Sequence, residues 1–245
     1  MARSKKETIF ANKFLPPHST AEGVSRYLEE AIICGDLKPG SRLIERDLAE
    51  TLGVSRIPIR EAFRILEIGG LVKTVPRRGA QVTAIHRQEV EDIFTIRANL
   101  IGLAAKLAAR NAAEKDILRL SQITQDMVEK AKRKNLRSYF RLNVKFHALL
   151  GQASGNNHLA TILENLGKQT FRFRYLSLSL PGRIQQTLKN HRRLIGVIRA
   201  RKEGEAEKIA RGNIEEAKEI LLQYISAHPE FFHPGNKNSA PRLRK

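Results

Sequence analysis

Between residues 21 and 68 apolar side chains recur every three or four positions, and between 71 and 84 they alternate, which predicts three short helices and a hairpin. Val24, Tyr27, Leu28, Ala31 and Ile32 share a face of the first helix, with Ser19 or Thr20 placed to cap it and Gly35 and Pro39-Gly40 to end it. A second helix over 45–52 turns Leu48 and Leu52 inward and stops at Gly53. Ser55 is placed to cap a third, whose apolar face is Ile59, Ala62, Phe63 and Leu66. Pro58 falls in its first turn, where a missing backbone donor costs little. After Gly69-Gly70, Leu71–Val75 and Gln81–Ala84 predict two strands around a Pro76-Arg77-Arg78-Gly79 tip.

From residue 87 the spacing is helical throughout. It predicts six helices at roughly 87–112, 115–134, 136–153, 157–178, 183–202 and 205–226, separated at Asn135, Gly155-Asn156, Pro181-Gly182 and Gly204. The expected fold is mainly α: an N-terminal winged helix-turn-helix with a small β-hairpin, followed by an all-α helical bundle. The expected divisions are a flexible basic arm over 1–18, the winged domain over 19–85, the bundle over 86–227 and a mobile tail over 228–245.

Charge sharpens this picture. The chain of 245 residues carries net +19, which points to a polyanionic partner, yet residues 1–86 hold 14 basic against 10 acidic residues, so most of the excess lies in the bundle. That surplus reads either as a solvated basic surface or as a site for an anion. The single cysteine, Cys34, excludes an internal disulfide and a cysteine-based zinc cluster. With no apolar run near the length of a spanning helix and no apolar signal core, a cytoplasmic protein without membrane contact is expected.

Arg56, Arg60 and Arg64 lie four apart on the third helix, opposite its apolar face. Arginine donates two parallel hydrogen bonds to guanine in the major groove, and the first turns of a recognition helix lie nearest the bases. Arg56 and Arg60 are therefore the candidate base readers. Arg64 either touches backbone or pairs with Glu61 or Glu67. Ser55 at the cap suits a phosphate, Arg46 reaches a phosphate or a base edge, and Arg77 and Arg78 suit the minor groove or backbone, with Gly79 allowing close approach. A merely solvated basic helix would have to explain the capped helix, the turn and the arginine-tipped hairpin together.

Several polar residues fall in phase with apolar stripes of the bundle: Arg97 among Ile93, Phe94 and Ile101; Asn143 and His147 with Tyr139 and Leu150; His191 with Leu188 and Leu194; Asn213 with Ile209, Ala217 and Ile220. A polar group there needs a partner or a ligand, because leaving it unsatisfied costs roughly 1–3 kcal/mol. Arg97, Arg172 and Arg174 are candidates to hold a carboxylate or phosphate. No HExxH, no placeable Ser/His/Asp order and no glycine-rich phosphate loop occurs, so the expectation is no catalysis. The alternatives are a constitutive dimeric DNA-binding protein and, from another class, a helical metal-dependent hydrolase.

The segments GDLKPGSRL, ERDLAETLGVSRIPIREAFRILEIGGLV and PRRGAQV resemble the N-terminal domain of the GntR family of bacterial transcription regulators. RLNVKFHALLGQASGNNHL and NHRRLIGVIRARKEGEAEKIARGN resemble the FCD effector domain of its FadR subgroup. The resemblance implies a homodimer on a roughly palindromic operator, a small organic acid or other anionic effector that alters DNA affinity, and DNA contacts at Arg46, Ser55, Arg56, Arg60 and Gly79. It also implies a divalent metal held by one Asp and three His, at the positions of Asn143, His147, His191 and Asn213. Two of those four are neutral amides here, and Ile101 replaces a usual acidic residue. Asn is a poor ligand for zinc-like metals, so a weakly held metal or a directly bound organic ligand is the expectation.

Overall fold

The computed structural model describes residues 20–76 and 78–228. The expected basic arm over 1–18, the tail beyond 228 and Arg77 lie outside the described residues. Two compact units divide between His86 and Arg87. No helix among the described residues is long and apolar enough to cross a membrane.

The first unit contains helices α1 (Ala21–Ile33), α2 (Glu45–Leu52) and α3 (Arg56–Ile68) and strands β1 (Arg42–Leu43), β2 (Val72–Val75) and β3 (Gly79–Val82). Thr20 caps α1 through its hydroxyl, and Gly53 closes α2 by taking the left-handed backbone conformation at φ 66°. Val24 and Leu28 of α1 and Ile59, Phe63 and Leu66 of α3 share one core with Leu48, Val72 and Val82. Glu67 ties the end of α3 to β2, accepting from the Thr74 amide at 2.6 Å and the Thr74 hydroxyl at 2.7 Å.

The sheet has three strands in the order β1-β3-β2, all antiparallel, rather than the two expected. β1 pairs Arg42 with Gln81 and Leu43 with Ala80. Gly79 is fixed by this third strand. Its φ is +87°, and a Cβ there would collide with the Leu43 carbonyl oxygen. The residue is demanded by sheet closure, whether or not DNA approaches it.

The second unit is all helical: α4 (Arg87–Asn111), α5 (Glu114–Lys132), α6 (Leu136–Ala153), α7 (Asn157–Gln169), α8 (Phe171–Ser179), α9 (Arg183–Arg199) and α10 (Glu203–Ala227). Asn135 and Asn156 cap α6 and α7, accepting from the Ser138 and Leu159 amides. Central α6 packs on α4, α5, α7 and α8, and the alanines of α4 at 104, 105, 108 and 109 are fully enclosed.

Two expected boundaries are corrected. The helix read over 157–178 is two helices broken at Thr170, whose buried hydroxyl donates to the Leu166 and Gly167 carbonyls at 3.0 Å and competes with the helical ladder. The break expected at Gly204 lies at Ala200–Lys202. Arg201 takes φ 58° there and reaches the Ala109 carbonyl near the end of α4 at 3.2 Å.

Replacing Gly79 by Ala is expected to destabilise the winged unit by at least about 2 kcal/mol, because left-handed strain adds to a backbone collision. A denaturant melt of the full chain measures this; an unchanged midpoint would mean that the β1–β3 closure is looser than described.

Candidate nucleic-acid interface and buried polar cavity

With its apolar face locked into the core, α3 must present the opposite face to solvent. Arg56, Arg60 and Arg64 lie there, beside Arg42 of β1, Arg46 of α2 and Arg78 of the hairpin tip. These six arginines line one groove of about 950 Å³, and Glu45 is the single carboxylate among its walls. Ser55 occupies the cap position of α3 but makes no side-chain cap bond, which leaves its hydroxyl and the helix N-terminus to an anion.

Within the groove the arginines differ. Arg60 makes a two-point pair with Glu45, Nη2 to Oε2 at 2.8 Å and Nε to Oε1 at 3.2 Å, which holds the Glu45 carboxyl below its usual range. Arg64 pairs with Glu61 at 2.8 Å, one of the two partners expected for it. Arg46 lies 3.5 Å from Asp47. All three pairs are solvated, so exchange of a carboxylate for a DNA phosphate or base edge is inexpensive. Arg42 and Ile57 escaped sequence reasoning. The two-residue β1 that carries Arg42 is too short to show alternation, and Ile57 is 71% exposed in the first turn of α3, the wrong side for a core residue.

The second unit holds a small, partly open cavity of about 30 Å³ between α4, α6, α8, α9 and α10. Of the expected effector residues, Arg97, Asn143, His147, Arg174 and Asn213 meet at its walls, each under 9% exposed. His191 sits behind the wall, stacked flat on Phe146 at 3.8 Å between ring centroids, with its edge toward His147. Arg172 is elsewhere. It is two residues from Arg174 on α8, which points it to the other side of the helix, where it pairs with Glu89 at 3.2 Å. Sequence reasoning missed Arg183 and Thr187, which also line the cavity, and Asn190, whose amide donates to Asn213 Oδ1 at 3.0 Å.

The electrostatics of this cavity are one-sided. Burial pushes Arg97 down to about 10 and Arg174 well below its ordinary value, and Arg97 lowers Arg174 further. His147 is held well below its usual range by burial, then by Arg97, Arg174 and His191; burial alone takes His191 to about 3. Both imidazoles are therefore neutral at pH 7.

Two family models match the chain: bacterial regulatory proteins of the gntR family over residues 20–82, and the FCD domain over 92–216. An HTH-type transcriptional regulator of Bacillus subtilis (strain 168), YdhC, is 34% identical over 201 residues, covering 81% of this chain and 84% of its own. The chain belongs to the GntR family of bacterial regulators. The transcriptional repressor RspR of Escherichia coli (strain K12) is 27% identical across 89% of this chain and 95% of its own. E. coli McbR/YncC has a similar fold, with a TM-score of 0.69 at 23% identity over 83% of this chain and 97% of that one. These relatives are regulators rather than enzymes, so this GntR-family chain is a DNA-binding transcription regulator with an FCD domain.

A divalent metal does not fit the bundle site. No group of three or more His, Cys, Asp or Glu able to hold a metal occurs among the described residues. Asn213 Oδ1 is already committed to Asn190, and Arg97 and Arg174 set positive charge around His147. A dication favours carboxylate, imidazole or thiolate donors and is repelled by guanidinium neighbours.

The buried histidines make the bundle acid-sensitive. In the unfolded chain they take a proton near pH 6.5, whereas in the fold His191 resists until about 3 and His147 is also held down. Their contribution is whole above pH 6.5 and is lost as pH falls, by up to about 1.4 kcal/mol per histidine per pH unit. Thermal midpoints should therefore fall between pH 7 and 5, with a shallower slope in His191→Gln. An equal slope in that variant would assign the acid sensitivity to other groups.

Proposed function

We propose that this regulator reads a roughly palindromic DNA operator as a homodimer, and that a small anionic molecule in the bundle changes its operator affinity. The observation that carries the DNA reading is a solvent-facing groove lined by six arginines, three of them held only by exchangeable surface ion pairs. Arg56 and Arg60, on the N-terminal half of α3, read base edges in the major groove, and Ile57 beside them meets a thymine methyl. Arg46, Ser55 and Arg42 hold phosphates, which set register without carrying sequence information. Arg78 at the hairpin tip, with Arg77 beside it in sequence and Gly79 behind it, follows the backbone or minor groove.

The bundle supplies the regulatory half. Arg97, Asn143, His147, Arg174 and Asn213 converge on one cavity, His191 backs it, and its positive walls favour an anion. Arg172, although buried, is tied to Glu89 and plays no part. An effector acts by binding one arrangement of the dimer more tightly than another, and the shift in operator affinity is bounded by that difference.

Selection of the full chain against a random duplex pool supplies the operator for the test. Arg56→Ala and Arg60→Ala should each weaken binding to the selected site by about 1–3 kcal/mol and relax one base position. Arg78→Ala should weaken selected and unselected DNA alike and reduce the salt slope by about one. If Arg56→Ala leaves both selected and random DNA binding unchanged, α3 is not the reading element. An operator affinity indifferent to every bundle ligand would reduce the protein to a constitutive DNA binder.

A further inference from the structure

Among the described residues, eight buried side-chain atoms lack a hydrogen-bond partner: Asn143 Oδ1, His147 Nδ1, Arg174 Nη2, Arg183 Nε and Nη1, Thr187 Oγ1, and both ring nitrogens of His191. Six belong to residues lining the small cavity described above, and the other two sit on the ring stacked behind it. Natural cores satisfy buried polar atoms, so a cluster of orphans marks a place where something is missing.

What is missing is negative charge. No carboxylate pairs with Arg97 or Arg174 among the described residues, and the guanidinium carbon of Arg174 lies 5.7 Å from the ring centroids of Phe140 and Phe171. Arg183 is 2% exposed and has half a partner. Its Nη1 lies 3.2 Å from Glu216 Oε2 without an aligned hydrogen bond, and its Nη2 reaches the Asn213 carbonyl at 3.5 Å. Three guanidinium groups thus face the cavity against one carboxylate, leaving two positive charges uncompensated. A buried charge without a partner is strongly unfavourable, so the arrangement favours a ligand that supplies negative charge.

We infer that Arg97, Arg174 and Arg183 form a guanidinium cradle that takes a compact dianion directly, with no divalent metal. Guanidinium groups suit carboxylate and phosphate oxygens because their parallel donors match the spacing of two acceptor atoms. Thr187 Oγ1 and a neutral His147 add donors, and the Asn143 amide adds another when turned over about its last bond. The cavity of about 30 Å³ has room for only one or two waters, so the helices around it part to admit even a phosphate-sized ligand. The inference deepens the effector reading above and rests on it only for its consequence at DNA.

The test is a thermal melt of the full chain in EDTA, titrated with inorganic phosphate or succinate against chloride at matched ionic strength. A saturable rise of the midpoint, unaltered by added zinc or manganese, is expected. Which of the two anions acts at lower concentration separates a phosphate ligand from a dicarboxylate. Arg174→Gln and Arg183→Gln should weaken the response by roughly tenfold or more, the loss expected for a charge-assisted contact. Without anion Arg174→Gln should melt no lower than the parent, since it removes an uncompensated charge, whereas Arg183→Gln also gives up the Glu216 pair. Asn143→Asp, which supplies a carboxylate from within, should raise the midpoint without anion and abolish the response.

A rise that appears only with added zinc or manganese, an undiminished rise in Arg174→Gln, or no rise with either anion would overturn the cradle. Operator titrations separate this from the effector reading. Metal-free anion binding that leaves operator affinity unchanged sinks the regulatory coupling while the cradle stands. Control by a neutral bundle ligand, with neither anion bound, sinks the cradle and leaves the regulator intact.

Discussion

The seating of α3 in the core of the winged unit governs how this protein meets DNA. Ile59, Phe63 and Leu66 are at most 2% exposed, so rotation of the helix would drag them into water at about 1.5–3 kcal/mol each. That penalty fixes the azimuth of the helix, and the azimuth aims Arg56 and Arg60 outward. Glu67 adds a second restraint by tying the C-terminal turn of α3 to Thr74 of β2. The hairpin tip that carries Arg78 is thereby held in one unit with the helix, and both border a single groove. Reading a duplex needs this rigidity, because a bidentate contact to a base edge tolerates little misplacement.

Much of this was legible in the sequence because it follows from periodicity. The apolar residues of α1 and α3, the stop at Gly53 and the helix breaks at Asn135 and Gly155-Asn156 all announce themselves by spacing or residue type. What escaped has physical reasons. Two residues of β1 cannot display alternation, so the third strand, and with it Arg42 and the true demand on Gly79, stayed hidden. Thr170 breaks a helix through its hydroxyl, but threonine occurs in many helices that continue. Arg183 follows a Pro-Gly turn, where residue type carries no signal of burial, yet it is among the most enclosed side chains of the bundle. Arg172 and Arg174 are two apart, which on a helix means nearly opposite directions, and only the packing decides which one meets the cavity.

The two basic sites use arginine under opposite conditions. In the winged groove the guanidinium groups are wet, and their pairs with Glu45, Glu61 and Asp47 are loose enough to exchange for DNA. Those carboxylates also keep the empty groove from holding six bare charges. Around the bundle cavity the guanidinium groups of Arg97, Arg174 and Arg183 are dry, and of these three only Arg183 has an acidic neighbour among the described residues. Screening by salt and water weakens the first site and barely touches the second. Binding to DNA is accordingly salt-sensitive and fast to reverse, whereas an anion in the bundle meets nearly unscreened charge.

That difference bears on how a regulator of this kind can be switched. A bundle optimised for stability alone would replace its uncompensated arginines by apolar residues of similar volume. Keeping them raises the energy of the ligand-free arrangement, and any ligand that supplies the missing charge recovers that energy in proportion to how well it fits. The small volume of the cavity adds the second requirement. In the proposed cradle, charge compensation goes together with a parting of α4, α6, α8, α9 and α10, because the pocket of about 30 Å³ is smaller than the ligand. Coupling between a ligand and a distant function requires a difference between two arrangements that the ligand can feel. In the proposed cradle that difference is unpaired charge in one arrangement and paired charge in the other.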